Sequence, residues 1–323
     1  MINFENTKLE RDKQQIKSLM LGPLWDHFCD PKTVELMVNA DGTLWVEKLG
    51  QSSQAVAKID EAAVRSIILN VSGFHNQVVS ASNAVCEGEF PIDGSRFEGL
   101  LPPISSAPCF SLRKKATAIF TLSQYVDSRI MTEVQHNIIT QAVVEHKNIL
   151  VIGGTGSGKT TLINAIIQEM VDKCPQDRVI IIEDTGEIQC AAKNHLQLRA
   201  NMHTSMTDLL RATLRLRPDR ILVGEVRGPE ALDLLDAWST GHPGGCATLH
   251  ANSALAGLDR LKSLVTRNKA APDTIEPLIG DTVDLVINIA RDHGGRRIKE
   301  ILKVNGWKGS EYSCESAVSH PLG

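Results

Sequence analysis

Residues 148–161 read NILVIGGTGSGKTT, and this stretch decides the fold. An apolar run, 149–152, leads into Gly153; Gly158-Lys159-Thr160 follow, and then a helix-forming segment, TLINAIIQEM. The spacing G-x-x-x-x-G-K-[ST] between a strand and a helix is the P-loop pattern. Its glycines let successive backbone N–H groups turn inward and cradle phosphate oxygens at a helix N-terminus. The expected nucleotide-binding residues are therefore Gly153, Gly154, Thr155, Gly156, Ser157, Gly158, Lys159, Thr160 and Thr161. Lys159 can reach the β- and γ-phosphates of ATP, and the Thr160 hydroxyl can hold Mg²⁺.

Around this loop the pattern alternates between strand and helix. Strands are expected at 148–152, 179–183, 220–224, 245–249 and 284–289, and helices at 133–146, 159–173, 205–214, 229–240, 254–267 and 273–279. That alternation predicts an α/β fold with a parallel sheet and a site at the C-terminal strand ends.

The preceding region has a different pattern. Ile16, Leu19, Met20 and Leu24 recur at helical spacing, and TVELMVNADGTLWVEK (33–48) reads as a hairpin turning near Gly42. A helix is expected over 59–77 and strands at 89–92, 96–101 and 109–112, which makes a smaller α+β domain with an antiparallel sheet. The expected division is an N-terminal domain at 1–117, a linker at 118–130, the P-loop domain at 131–306 and a tail at 307–323.

Three further segments reach the P-loop edge. VIIIEDTGE (179–187) carries Glu183 and Glu187, which can order a Mg²⁺ shell or orient an attacking water. DRILVGEVR (219–227) resembles a strand that ends in an acid, with Gly224 where an aspartate often stands, so Glu225 is left to bind Mg²⁺ or polarise water. Thr160, Glu183 and Glu225 are thus the candidate Mg²⁺ ligands, direct or through water. The arginines at 211, 215, 217 and 220 read as a charged surface or a contact between subunits. GHPGGCATLHAN (241–252) holds His242, a candidate loop residue, and His250, placed to sense a γ-phosphate or bridge to a neighbouring subunit.

Composition narrows the classes. The 323 residues carry a net charge of −4 and only 4% aromatics, so there is no basic, aromatic-rich surface for nucleic acid. Seven cysteines are scattered without a C-x-x-C pair, which fits neither a zinc site nor a disulfide framework. No apolar run approaches the ~18 residues of a membrane span, and the start of the chain lacks a signal-peptide core. Any membrane role is then peripheral, through partners.

Taken in order, GGTGSGKTT, IIIEDTGEI, ILVGEVR and STGHPGGCATLHANS resemble the motif series of the secretion "traffic" ATPases of type IV secretion, type II secretion and type IV pili. TVELMVNADGTLWVE, SRFEGLLPPI and FSLRKK are similar to the N-terminal domain of the conjugation and type IV secretion branch, and no tetracysteine zinc element is present. The resemblance implies a RecA-like ATPase domain, a homo-hexamer and nucleotide placed between the two domains. It implies that Arg96 and Arg113 approach the phosphates, a role suited to bidentate guanidinium groups. The implied setting is cytoplasmic and peripheral at the inner membrane, with other secretion components as partners. The implied work is ATP hydrolysis that powers pilus biogenesis or substrate transfer. Which of Glu183, Glu187 and Glu225 serves as base stays open in the sequence. So do a pilus or type II secretion role, a nucleic-acid motor and a non-catalytic nucleotide-switched scaffold.

Overall fold

The computed structural model describes residues 2–115, 119–201, 203–292 and 295–319. The chain divides into two units, 1–117 and 118–323.

The first unit begins with helices α1 (Ile2–Leu19) and α2 (Pro23–Cys29). Strands β1 (Thr33–Val38), β2 (Thr43–Lys48) and β3 (Gln54–Lys58) precede helix α3 (Glu61–Phe74). Strands β4 (Val85–Glu89), β5 (Arg96–Leu100) and β6 (Cys109–Arg113) complete an antiparallel sheet in the order β3-β2-β1-β6-β5-β4. The hairpin expected at 33–48 is present, and α3 starts where Asp60 caps the Ala62 and Ala63 amides. Val64, Ile67, Ile68 and Val71 form its buried stripe. The strand expected at 89–92 lies earlier, at β4, and β3 was not foreseen, because its residues face solvent and carry no apolar pattern.

The second unit opens with a helix where a linker was expected. Helix α4 (Leu122–Asp127) is closed by a capping box from Thr121 and buries Leu122 and Tyr125. It is therefore part of the unit's core and not a free connection. Then come α5 (Glu133–Val144), β7 (Ile149–Ile152), α6 (Lys159–Lys173), β8 (Val179–Glu183) and β9 (His195–Arg199). These are followed by α7 (Met206–Thr213), β10 (Arg220–Val223), α8 (Glu230–Ser239), β11 (Cys246–Leu249), α9 (Ala254–Val265) and α10 (Glu276–Thr282). The unit ends with β12 (Leu285–Asp292), β13 (Gly295–Trp307) and β14 (Tyr312–Ser319).

The eight strands run in the order β14-β13-β12-β7-β11-β10-β8-β9. From β12 to β9 all neighbours are parallel, whereas β13 and β14 add antiparallel at one edge. Residues 312–319, read as tail, are thus a strand of the sheet; 320–323 lie outside the described residues. Every residue of β7, β8, β10 and β11 is buried, as strands covered on both faces require. The alternation sorts them cleanly. Leu150, Ile152, Ile180 and Ile182 pack with the α7–α10 side, and Ile149, Val151, Val179 and Ile181 with α4, α5 and α6. No helix among the described residues is long and apolar enough to cross a membrane.

One charged cluster sits in this core. Arg220 was read as surface but is fully buried at the start of β10. Its Nε donates to Asp177 Oδ2 at 2.6 Å, and its other nitrogens donate to the Gly244 and Val143 carbonyls and to His146 Nε2. Asp177→Ala leaves that guanidinium without its counter-charge, and the expected loss is about 3–5 kcal/mol of unfolding free energy, measured by urea denaturation. A loss under about 1 kcal/mol would show that the carbonyls alone satisfy Arg220.

Candidate functional site

The P-loop joins β7 to α6. Gly156 and Gly158 take left-handed φ angles of 70° and 99°, which only glycine adopts without strain. Gly158 is the N-cap of α6 and supplies no side-chain cap, so the first amides of α6 have no side-chain acceptor there. Side chains added at Gly154 or Gly156 would meet nothing within 4 Å. One at Gly153 would run into the Ile289 carbonyl and Ser157. The loop is thus closed on its sheet side and open on the other, as a backbone cradle for an anion must be.

Lys159 is buried, and its Nζ donates to the Gly153 and Gly154 carbonyls at 3.1 and 3.0 Å. The same ammonium lies 3.3 Å from His250 Nδ1. It lies 3.5 Å from His250 Nε2 as well, close to both ring nitrogens rather than in line with one, and Nε2 lies 3.1 Å from Glu225 Oε1. Burial and the nearby Lys159 charge hold the His250 pKa below its ordinary value, so the ring is neutral near pH 7. In the neutral ring Nε2–H can donate to Glu225, while the Lys159 ammonium packs against the imidazole. Burial pushes the Glu225 carboxyl upward, but the Arg227 hydrogen bond and the charges around it prevail, so its pKa is lowered and it stays ionised. Arg227 donates to Glu225 Oε2 and to Asp184 Oδ2, each at 2.6 Å, and so ties the loops after β8 and β10 together.

The other two predicted acids occupy different surroundings. Glu183, the last residue of β8, is almost fully buried, and its Oε1 accepts from the Glu187 and Ile188 amides at 2.9 and 2.8 Å. Those bonds fold residues 184–187 back over the strand end. Burial pushes the Glu183 pKa from the ordinary 4.5 to about 7, against the pull of the two amides. The turn carries Glu187 to the P-loop, where Thr160 Oγ1 donates to its Oε2 at 3.2 Å. Asn164 locks the same turn, donating to the Glu187 carbonyl and accepting from the Gln189 amide. Gly224 has its explanation here. A Cβ at that position would lie 3.0 Å from Glu183 Cγ, so an aspartate would press on the buried glutamate.

The structure therefore brings Lys159, Thr160, Glu183, Glu187, Glu225 and His250 to one sheet edge. His242 lies apart, holding the Pro218 carbonyl from Nδ1 at 3.1 Å. Arg211 pairs with Asp233 on α8. Arg96 and Arg113 belong to the first unit, where they stand opposite each other across β5 and β6. Two residues of the edge went unassigned in the sequence. Arg227 follows Glu225 by two positions, which puts both on one side of an extended segment. Arg199 ends β9 opposite Glu183, and a Cβ at Gly186 would lie 2.8 Å from its Cζ. Its signal was the alternation His195, Gln197, Arg199, an exposed row rather than an apolar one.

Glu183 makes stability depend on pH. Between the ordinary 4.5 and about 7, the unfolded chain releases this proton while the folded chain keeps it. Stability then falls as pH rises through that window, by on the order of 3 kcal/mol at most. Glu183→Gln, melted in chelator without nucleotide, is expected to gain on the parent chain between pH 5 and pH 8. Parallel pH profiles for the two proteins would refute this.

Comparison with known proteins adds the following. Residues 27–320 match the family model described as Type II/IV secretion system protein. The chain is 44% identical over 313 residues to the conjugal transfer protein TrbB of Rhizobium radiobacter, covering 96% of each. It is 31% identical over 305 residues to the type IV secretion system protein PtlH of Bordetella pertussis, covering 83% of this chain and 89% of that one. Among solved structures, the Legionella pneumophila ATPase DotB shares the fold, with a TM-score of 0.62 at 20% identity, covering 87% of this chain and 78% of that one.

Proposed function

This chain belongs to the Type II/IV secretion system protein family, and we propose that it hydrolyses Mg-ATP to drive a conjugative or type IV secretion apparatus. One observation carries the reading: Lys159 of a P-loop, a neutral His250 and an ionised Glu225 lie against one another. A γ-phosphate placed at Lys159 would face the carboxylate that can take a proton from water. Hydrolysis of ATP to ADP and phosphate needs these three things together: a cradle, a cation against the developing charge, and an acceptor for the water proton.

The three acids then divide the work. Glu225 orients the attacking water, because it is ionised and half-buried beside Lys159. Glu183 is a positioning residue, since its oxygen is committed to the turn that presents Glu187. Thr160 and Glu187 form a hydroxyl–carboxylate pair, an oxygen donor set suited to Mg²⁺, with Glu225 reaching the same ion through water. The ion supplies charge neutralisation on the phosphates when bound. Glu183 is too enclosed by backbone donors to serve as a direct ligand.

The family resemblance extends the proposal to a homo-hexamer that docks on inner-membrane components from the cytoplasmic side. It also assigns Arg96 and Arg113 to the phosphates. Their cross-strand pairing concentrates two guanidinium groups at one place on the first unit, which is the charge such a contact requires. Domain motion between nucleotide states is the expected output.

Steady-state ATPase assays beside nucleotide titrations test this. Lys159→Ala is expected to abolish turnover, and wild-type turnover in that variant would remove the P-loop from the mechanism. Glu225→Gln should still bind ATP but lose about 10²–10⁴ in kcat, the usual contribution of a positioned base. Glu183→Gln should lose much less, and the reverse order would exchange the two roles. Arg113→Ala should lower turnover more than affinity, by tens- to about a thousand-fold, and Arg113→Lys should not fully restore it. Unchanged turnover would return Arg113 to an exposed basic residue.

A further inference from the structure

The P-loop is flanked on two sides, and only one of them holds the residues discussed so far. In the sheet, β7 lies between β11, which leads to His250, and β12, whose partner is β13. Arg296 stands near the start of β13, opposite Arg291. Its side chain lies along the loop: a Cβ at Gly158 would be 3.0 Å from Arg296 Cδ and 3.2 Å from its Nε. That Nε is buried and has no hydrogen-bond partner among the described residues. No carboxylate among the described residues forms an ion pair with it. An arginine beside a backbone cradle, held there by packing and lacking an acid, is built to meet an anion. A buried guanidinium donor without an acceptor is otherwise destabilising.

From this geometry we propose that Arg296 is a further nucleotide-contacting residue, one that engages the diphosphate common to ATP and ADP. This rests on the ATPase reading above. The sheet order supports the choice of phosphates. Lys159, His250 and Glu225 gather toward β11 and β10, where the γ-phosphate must face the water-orienting acid. Arg296 approaches from the β12–β13 side of Gly158, away from that acid, so it serves the part of the nucleotide that remains after hydrolysis. A guanidinium suits this task because its fork can hold two phosphate oxygens at once.

The test uses the full chain and fluorescent ADP and ATP analogues titrated against the parent protein, Arg296→Met and Arg296→Lys, with Lys159→Ala as control. Arg296→Met keeps the length of the side chain and removes its charge. It is expected to weaken ADP and ATP by the same factor, about tenfold to a hundredfold, the range of a lost charge-assisted bond. KM for ATP should rise by a larger factor than kcat falls, because most of the interaction is already made in the ground state. Arg296→Lys should recover part of the affinity. Melting without nucleotide should be unchanged or raised in Arg296→Met, since a buried donor without an acceptor is removed. Parent-like ADP affinity in Arg296→Met overturns the proposal. So does a loss confined to ATP, which would place Arg296 at the γ-phosphate. A lowered melting point with no recovery in Arg296→Lys would make it a packing residue and overturn it as well. If the parent chain binds neither nucleotide, the ATPase reading itself fails, and that result is distinct from all of these.

Discussion

Strand β7 is buried on both faces, and the rest of the second unit answers to that constraint. Its four residues feed two apolar layers at once, so the chain can turn only beyond Ile152. At that point the Ile289 carbonyl and Ser157 leave no room for a side chain on Gly153. The turn must therefore start with glycine, and the helix that follows begins with amides that no side chain caps. A phosphate-binding loop is the outcome of ending a central strand in this way. The anion site and the packing of the core are one arrangement.

The edge around the loop is stabilised by polar links between segments that are remote in sequence. Arg227 joins the β10 loop to the β8 loop, and His250 joins the β11 end to both Glu225 and Lys159. These groups are partly buried, so each charge is felt more strongly than it would be in water. A change at one member shifts the others, which is why single substitutions here should act non-additively. At the opposite end of the sheet, Asp177, Arg220 and His146 also form a charged cluster, but there each Arg220 nitrogen already has an acceptor within the protein. That cluster holds β10 against the loops beside it.

Glutamates 183, 187 and 225 show how position changes the meaning of one residue type. All three lie close to the same strand ends, yet one is enclosed by backbone amides, one meets a threonine hydroxyl and one faces an imidazole. The raised pKa of Glu183 and the lowered pKa of Glu225 follow from those surroundings, burial dominating the first and Arg227 reversing burial at the second. Gly224 belongs to the same account, because a side chain just after β10 would crowd Glu183 at the strand end.

The amino-acid sequence by itself determined the parts whose cause is local. Apolar runs ending in Gly153, Glu183 and Glu225 marked three strands of the sheet, since burial on both faces demands continuous hydrophobicity. The glycine spacing named the P-loop, since left-handed φ angles and close approach admit little else. Features whose cause is remote were decided only by the tertiary structure. Strands β3 and β9 are exposed and give a weak apolar signal, and β13 and β14 join the sheet through pairings that no local window contains. Helix α4 looked like a linker because six residues carry too few apolar positions to show which two are buried. The roles of Arg220 and Arg296 lay beyond sequence reading for the same reason. A guanidinium looks alike in a string of letters whether it faces water, a buried aspartate or the flank of a glycine loop, and only the fold supplies its neighbours.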